Sequence, residues 1–571
     1  MNSVRLSSSA YARSLLLPLV LLGRAGAPAQ EASAPDPAPF SDTLRVELVN
    51  VDVRVTDEHG EPVRGLAVSD FEVHEDGRPV AITHFAVVED RHAPSEARAA
   101  PSEADPSART PQVEGVSLPE EEREDLRLRL VLFFDNYNVR PLERNRVLRS
   151  VESFVRRALR DDDLAMVVSY DRAIEIRQHF TNDTNLVAKA LAELEDVQGF
   201  KTVRDRERQQ VLSTVDGATN HDAALTAVRN HAEVVFNEMG HVVQGLEQVL
   251  DHLAGLPGRK ALLHVSGGMP MIAADDLFYA VHEKFAGSHA LGWAARYDLS
   301  RSFREVQNRA NANDVTFYTL DAGGLRANTA GSAEYQGLRT AGLLFRLESD
   351  YQANLQAPLR YLAEETGGRA IVDQNDVSPA LERVARDLRT FYSLGYTPAH
   401  AGDGRYHDIR VEVKRKGTQV RHRSGYLDKS SEARMIEGTT AALVHSYERN
   451  PLGISIEVER QQAQEDGTYR VGLLVRVPME HVAILPMGDA SHTRLRFFVA
   501  VMDDEGRSSG IQQLPIALEL RPEHVEAAQR ETYLHRQQLL MRSGRQKVAV
   551  GVNDELSGQA AFAARVVAIG G

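Results

Sequence analysis

The chain reads as an α/β protein, a doubly wound domain flanked by β-sandwich elements, on three observations. Strand-like and helix-like segments alternate from residue 126 to residue 398, the order that builds a covered, mostly parallel sheet. The leading strand "LRLVLFFD" has almost no polar positions, as expected when both faces are buried. The stretches on either side show short alternating strands punctuated by acidic and glycine turns, a β-sandwich pattern.

The elements follow in order. Residues 1–29 read as an export signal. Arg5 and Arg13 supply positive charge, "SLLLPLVLLG" is an apolar core too short to span a bilayer, and "APA" fits small-x-small cleavage before Gln30. No later run reaches the ~18 apolar residues of a membrane span, so an exported protein, periplasmic or secreted, without a membrane span is expected. Residues 43–90 read as a β domain, with Val51, Val53 and Val55 on one face and "FEVHEDGRPVAITHF" as a hairpin. Residues 91–125, with "APSEA" twice, carry too little apolar surface to offset the entropy of ordering and read as a linker. Within 126–398, "LERNRVLRSVESFVRRAL" is an amphipathic helix, "DLAMVVSYD" and "RKALLHVSGG" are strands, and "TGG" (Thr366 to Gly368) closes a helix with a left-handed glycine. Residues 399–430 read as a β hairpin turning at "KG" that completes the N-terminal β domain. Residues 431–571 read as a helical connector and a C-terminal β-sandwich.

Composition excludes several chemistries. Lys+Arg 66 against Asp+Glu 81 leaves a net charge of −15, which argues against non-specific nucleic-acid binding. The absence of cysteine removes disulfides, thiol catalysis and thiolate metal sites. GxGxxG, GxxxxGK[ST] and HExxH are absent, and no GxSxG elbow with a Ser/His/Asp set stands out. His231, Glu238 and His241 fall on one helical face, but no convincing second Glu-x-x-His on a facing helix, as a di-iron bundle needs, is found. The basic run "KRKGTQVRHR" reads as a solvated hairpin.

The strand ending at Asp135, "VVSYD", "SGG", "FYTLDAGGL", "LAEETGGRAIVDQND" and "FYSLGYTP…YHDIRVEVKRKGTQVRHRSGY" together resemble the von Willebrand factor type A (VWA) domain, and more narrowly the VWFA-related domain of exported acidobacterial proteins. The resemblance spans residues 43–426. It implies a Rossmann-like VWA domain whose strand-end loops carry a metal-ion-dependent adhesion site: Asp-x-Ser-x-Ser, a Thr and a second Asp around Mg²⁺, which takes six oxygens in near-octahedral geometry. Asp135 matches the first position. Tyr137 and Val139 replace the two serines, Thr202 is the match for the Thr, and Gly267 stands where the second Asp would fall. Asn136 and Asn138 occupy the intervening positions and are expected to point elsewhere, leaving Asp135 to accept loop amides or cap the next helix. The resulting expectation is a non-catalytic protein that recognises a protein or cell-surface partner without a working metal site and without a cofactor, Mg²⁺ being the ion an intact site would take. Asp135, Tyr137 and Arg140 are the partner-contact candidates. The alternatives are an envelope hydrolase using the same sheet edge, or a scaffold acting through the β domains.

Overall fold

The computed structural model describes residues 48–89, 127–325 and 341–570. The expected export signal (1–29) and the linker (91–125) lie outside the described residues. Four strands come first: β1 (Val49–Thr56), β2 (Phe71–Glu75), β3 (Arg78–Val80) and β4 (His84–Val88).

The α/β sheet follows: β5 (Leu128–Asp135), β6 (Leu164–Tyr170), β7 (Ile174–Thr181), β8 (Arg259–Ser266), β9 (Val315–Asp321) and β10 (Arg369–Ile371). Their spatial order is β10-β9-β8-β5-β6-β7. All neighbours are parallel except β7, which runs antiparallel to β6. The longer helices are α1 (Pro141–Ala158), α2 (Thr184–Glu193), α3 (Lys201–Gly217), α4 (His221–Leu253), α5 (Asp275–Lys284), α6 (Ser300–Ala312), α7 (Ala341–Glu365) and α8 (Ser378–Asp387). Every residue of β5 is buried. Leu128, Leu130, Leu132 and Phe134 pack under α1, α2 and α8, while Val131 and Phe133 face α4, α6 and α7. Period-two alternation thus delivers apolar side chains to both layers at once. In α1, Pro141 opens the helix where its missing N–H costs nothing. Val147, Leu148, Val151, Phe154, Val155 and Ala158 then form the buried stripe.

The remaining strands are β11 (Phe391–Tyr396), β12 (Tyr406–Val413), β13 (Gln419–Arg421) and β14 (Gly425–Leu427), then helix α9 (Ser431–His445) and β15 (Ser455–Ala463) to β22 (Ala560–Ile569). Two four-stranded sheets, β13-β1-β11-β4 and β14-β12-β2-β3, combine strands from both sides of the α/β region around Val51, Val53, Val73, Leu394, Tyr396 and Val411. Two expectations are corrected here. Strand "FYSLGY", read as part of residues 126–398, pairs antiparallel with β1 and β4 instead of joining the α/β sheet. The hairpin turning at "KG" is a corner: β12 pairs with β2 and β14, whereas β13 pairs with β1 in the other sheet. Alternation marks a strand but not its partner, and only packing of the two inner faces selects the crossing.

In the C-terminal region β15, β16 (Thr468–Pro478) and β20 (Thr532–Arg542) face a sheet built on β18 (Ala490–Asp503), β21 (Gly544–Asp554) and β22. The outer face of that second sheet, with Phe498, Ala500, Ala549 and Phe562, is covered by α9. Gly438 of α9 sits on the Phe562 ring, where a Cβ would approach to 2.3 Å. On its other side α9 meets α4: His445 Nε2 donates to the His252 carbonyl at 2.7 Å. Burial lowers the His445 imidazole to about 4 from 6.5. Because the folded state prefers the neutral ring, burial of His445 leaves stability intact above pH 6.5 and reduces it as the pH drops toward about 4. Urea unfolding across that window is expected to show this acid-side loss, and His445→Gln to flatten it.

The loops at the C-terminal edge of the sheet

In this sheet the chain moves from β5 to β6 on one side and to β8 on the other, so the β5/β8 boundary is the switch point where such folds hold ligands. The loop after β5 carries Asp135 to Arg140. Asp135 is fully buried. Its Oδ1 accepts the Asn138 backbone N–H (3.1 Å), and its Oδ2 accepts Asn138 Nδ2 (2.6 Å) and Ser266 Oγ (2.9 Å). His264 Nε2 lies 3.8 Å from Oδ2, also fully buried. Asn138 was expected to point away and instead turns inward, because its short amide closes a loop around the carboxylate. Asn136 does point elsewhere, accepting from Arg144 NH1 at 3.0 Å.

Tyr137, one of the partner-contact candidates, is 5% exposed. Its ring stacks on Phe200 at 5.4 Å and meets Tyr170 edge-on, with the Arg204 guanidinium 5.1 Å from its centroid. Burial, together with a hydrogen bond to Glu238, holds its phenol protonated. Glu238 therefore serves Tyr137, while His241 is exposed and His231 is pushed toward neutrality by burial. Val139 is buried and has no donor oxygen. Arg140 remains accessible, its Nε 3.0 Å from Asp205 and its NH1 3.3 Å from Glu143. Leu142 beside it is 86% exposed.

Thr202 lies in the first turn of α3, and its neighbour Lys201 is the residue that turns inward, 2% exposed and 3.6 Å from Asp205 Oδ1. Burial alone would raise the Asp205 carboxyl, but Lys201 and Arg140 hold it below its usual range. Arg204 NH2 donates to Asn138 Oδ1 at 2.5 Å. Two positive charges therefore stand beside the loop. Gly267 N donates to the Asn138 carbonyl at 3.0 Å, and a Cβ at 267 would lie 2.4 Å from that oxygen. The crevice is closed by backbone against backbone.

These residues do not fit an octahedral magnesium site. One carboxylate is present, its lone pairs already engaged by two amide donors and a hydroxyl, and further oxygens are missing at 139 and 267. Ser266 is the functional neighbour that sequence reading passed over. It was visible in "HVSGG", as the last inward residue of a strand adjacent to β5. A cavity of about 520 Å³ lies at the opposite edge, bordered by Leu128, Arg160, Asp163, Arg259, Arg389 and Phe391.

No protein-family model matches the chain, and no curated protein matches it. Among solved structures, it aligns with an aerotolerance-related membrane protein from Bacteroides fragilis carrying multiple mutations to serines. That alignment has 13% identity, 46% of this chain, 98% of that one and a TM-score of 0.22. The conserved hypothetical protein BatB from Bacteroides thetaiotaomicron aligns at 12% identity, over 46% and 97%, with a TM-score of 0.21. A von Willebrand factor type A protein from Catenulispora acidiphila aligns at 9% identity, over 78% and 66%, also at 0.21. The fold is carried by the strand order and not by these alignments. It is a doubly wound α/β domain flanked by β-sandwich elements.

Proposed function

We propose that this is an exported, non-catalytic protein that recognises a protein or cell-surface partner through the loops at the C-terminal edge of its α/β sheet, without a magnesium ion at Asp135. One observation carries the reading: the switch-point crevice is shut by the Gly267 N–H to Asn138 carbonyl hydrogen bond, with no room for a methyl group. A substrate needs a concave site with converging acid, base or nucleophile. Here the buried carboxylate is spent on its own loop. What the edge offers outward is the Arg140 guanidinium and the exposed Leu142 side chain, a charged and an apolar group side by side. Arginine is enriched at interface hot spots.

The test is capture of envelope components by the immobilised full chain. Capture is expected to be the same in magnesium-free and magnesium-replete buffer. Leu142→Asp is expected to weaken it about tenfold or more, the loss of a hot-spot contact, with an unchanged melting temperature. Capture that requires magnesium, or that survives Leu142→Asp together with Arg140→Ala, would overturn the reading.

A further inference from the structure

A second cluster of ionisable groups lies in the β domain. His400 sits in the turn after β11, His407 is the second residue of β12, and Asp428 follows β14. The two imidazoles stack with centroids 3.8 Å apart and planes within 14°. His400 Nδ1 is 2.9 Å from Asp428 Oδ2, and His407 Nε2 is 3.2 Å from Asp403 Oδ1. One ligand-type atom from each of the four residues lies within 4.8 Å of the other three. His407 and Asp428 are 7% and 3% exposed, and His400 Nε2 is buried without a hydrogen bond.

The second nitrogen of each ring faces another carboxylate: His407 Nδ1 lies 2.8 Å from Asp76 Oδ2, and His400 Nε2 lies 3.4 Å from Glu75 Oε2. Those outer groups are fixed. Glu75 Oε1 accepts both the Tyr396 and Tyr426 phenols at 2.8 Å. Asp76 Oδ1 accepts the Asp408 N–H at 3.0 Å from a left-handed turn residue. The backbone is clamped as well, by Gly404 N–H to the Asp428 carbonyl and Asp428 N–H to the Arg405 carbonyl. Asp403 N–H also donates to Asp428 Oδ2 at 3.0 Å.

The simple account is two imidazolium–carboxylate pairs. It requires two like charges stacked face to face. Keeping one or both rings neutral instead leaves a ring with a single N–H between two carboxylates. A divalent ion resolves both problems. It takes one nitrogen from each neutral ring and one oxygen from each inner aspartate, while the outer carboxylates orient the rings as they do in other histidine–metal sites. We propose that His400, His407, Asp403 and Asp428 bind a zinc-class divalent cation, with Glu75 and Asp76 as the orienting carboxylates. Two nitrogens and two carboxylate oxygens suit zinc better than magnesium or calcium, and tetrahedral closure requires side-chain shifts on the order of 1 Å. Such an ion would tie the β11–β12 turn to the segment entering α9, a cross-link that a chain without cysteine cannot make by disulfide.

The experiment uses the untagged full chain, stripped with chelator, dialysed and titrated with zinc, with cobalt as a visible-absorption reporter of tetrahedral geometry. One zinc per chain, a raised melting temperature and intense cobalt bands are expected. His407→Gln should abolish binding. Asp76→Asn should weaken it by about 10–100-fold. Asp403→Asn, in an exposed turn, keeps the test readable if the histidine variant fails to fold, and it too should remove the cobalt bands. No stoichiometric zinc, or zinc retained equally by Asp403→Asn and His400→Gln, would overturn the proposal.

Discussion

Replacing Arg208 with methionine is expected to destabilise the chain by about 3–5 kcal/mol, because it strands a buried charge. Arg208 of α3 donates from Nε to Asp276 Oδ2 at 2.8 Å and from NH1 to Glu348 Oε2 at 3.4 Å. Its guanidinium lies 3.9 Å from the centroid of the Tyr351 ring. Asp276 is 2% exposed. Burial raises its carboxyl above 3.8 even though Arg208 pulls the other way, so without the arginine it rises further. A carboxyl raised in the folded state contributes stability while protonated and loses it as the pH rises from 3.8 through the folded value. The deficit of Arg208→Met should therefore be larger at alkaline than at mildly acidic pH. Adding Asp276→Leu should recover most of it, since a well-packed apolar pair often replaces a buried ion pair at little cost. Urea unfolding of the two variants at both pH values checks this. A small, pH-independent loss would mean that the pair is solvated.

That ion pair also explains why α3 was absent from the sequence reading. Its buried positions are Lys201, Arg208, Leu212 and Val215, so half of its inward stripe is cationic, and a search for apolar periodicity passes over it. The partners that make this burial tolerable come from α5 and α7, at Asp276 and Glu348, 68 and 140 residues away. Thr202, matched to the family's Thr through the resemblance, stands next to Lys201, which is the buried residue of that turn. By contrast, β5 and α1 were legible because their burial is apolar apart from Arg129, Asp135 and Arg144, and Gly367 because a left-handed cap (φ 78°) needs glycine. Gly368 was legible only as a glycine. The reason it is one, a Cβ that would lie 1.7 Å from the Phe317 carbonyl oxygen, is a tertiary contact. At the site, Asp135 and the missing oxygens at 139 and 267 were readable. The inward turn of Asn138, the Ser266 hydroxyl and the burial of Tyr137 depend on neighbours that spacing does not name. The His400–His407 stack escaped notice for a related reason, since their separation in sequence crosses a turn that folds the two rings together.

Gly267→Asp supplies the carboxylate that the resembled adhesion site would place in its third loop, and it is expected to fail as a repair. Its Cβ would lie 2.4 Å from the Asn138 carbonyl oxygen, 3.2 Å from Lys201 Cδ and 3.3 Å from Val139 Cα. Two of these three atoms are backbone, so the β5 and β8 loops must separate and the Gly267 to Asn138 hydrogen bond must stretch or break. Overpacking of this kind costs about 1–3 kcal/mol. Gly267→Ala isolates that share, because it adds the methyl without the charge. The aspartate adds a second carboxylate beside the fully buried Asp135, where one of the two must take up a proton or pull its loop toward water. Gly267→Asp is therefore expected to be less stable than Gly267→Ala by a further ~1–3 kcal/mol, with the gap widening as pH rises. Magnesium should restore neither variant, since Val139 still offers no oxygen and Arg204 still donates to Asn138. Thermal melts of the native chain and both variants, with and without magnesium, decide the matter. A Gly267→Asp protein as stable as the native chain, or one whose melting temperature climbs with magnesium, would show that the loops part easily and that the crevice is a binding site held open to a cation.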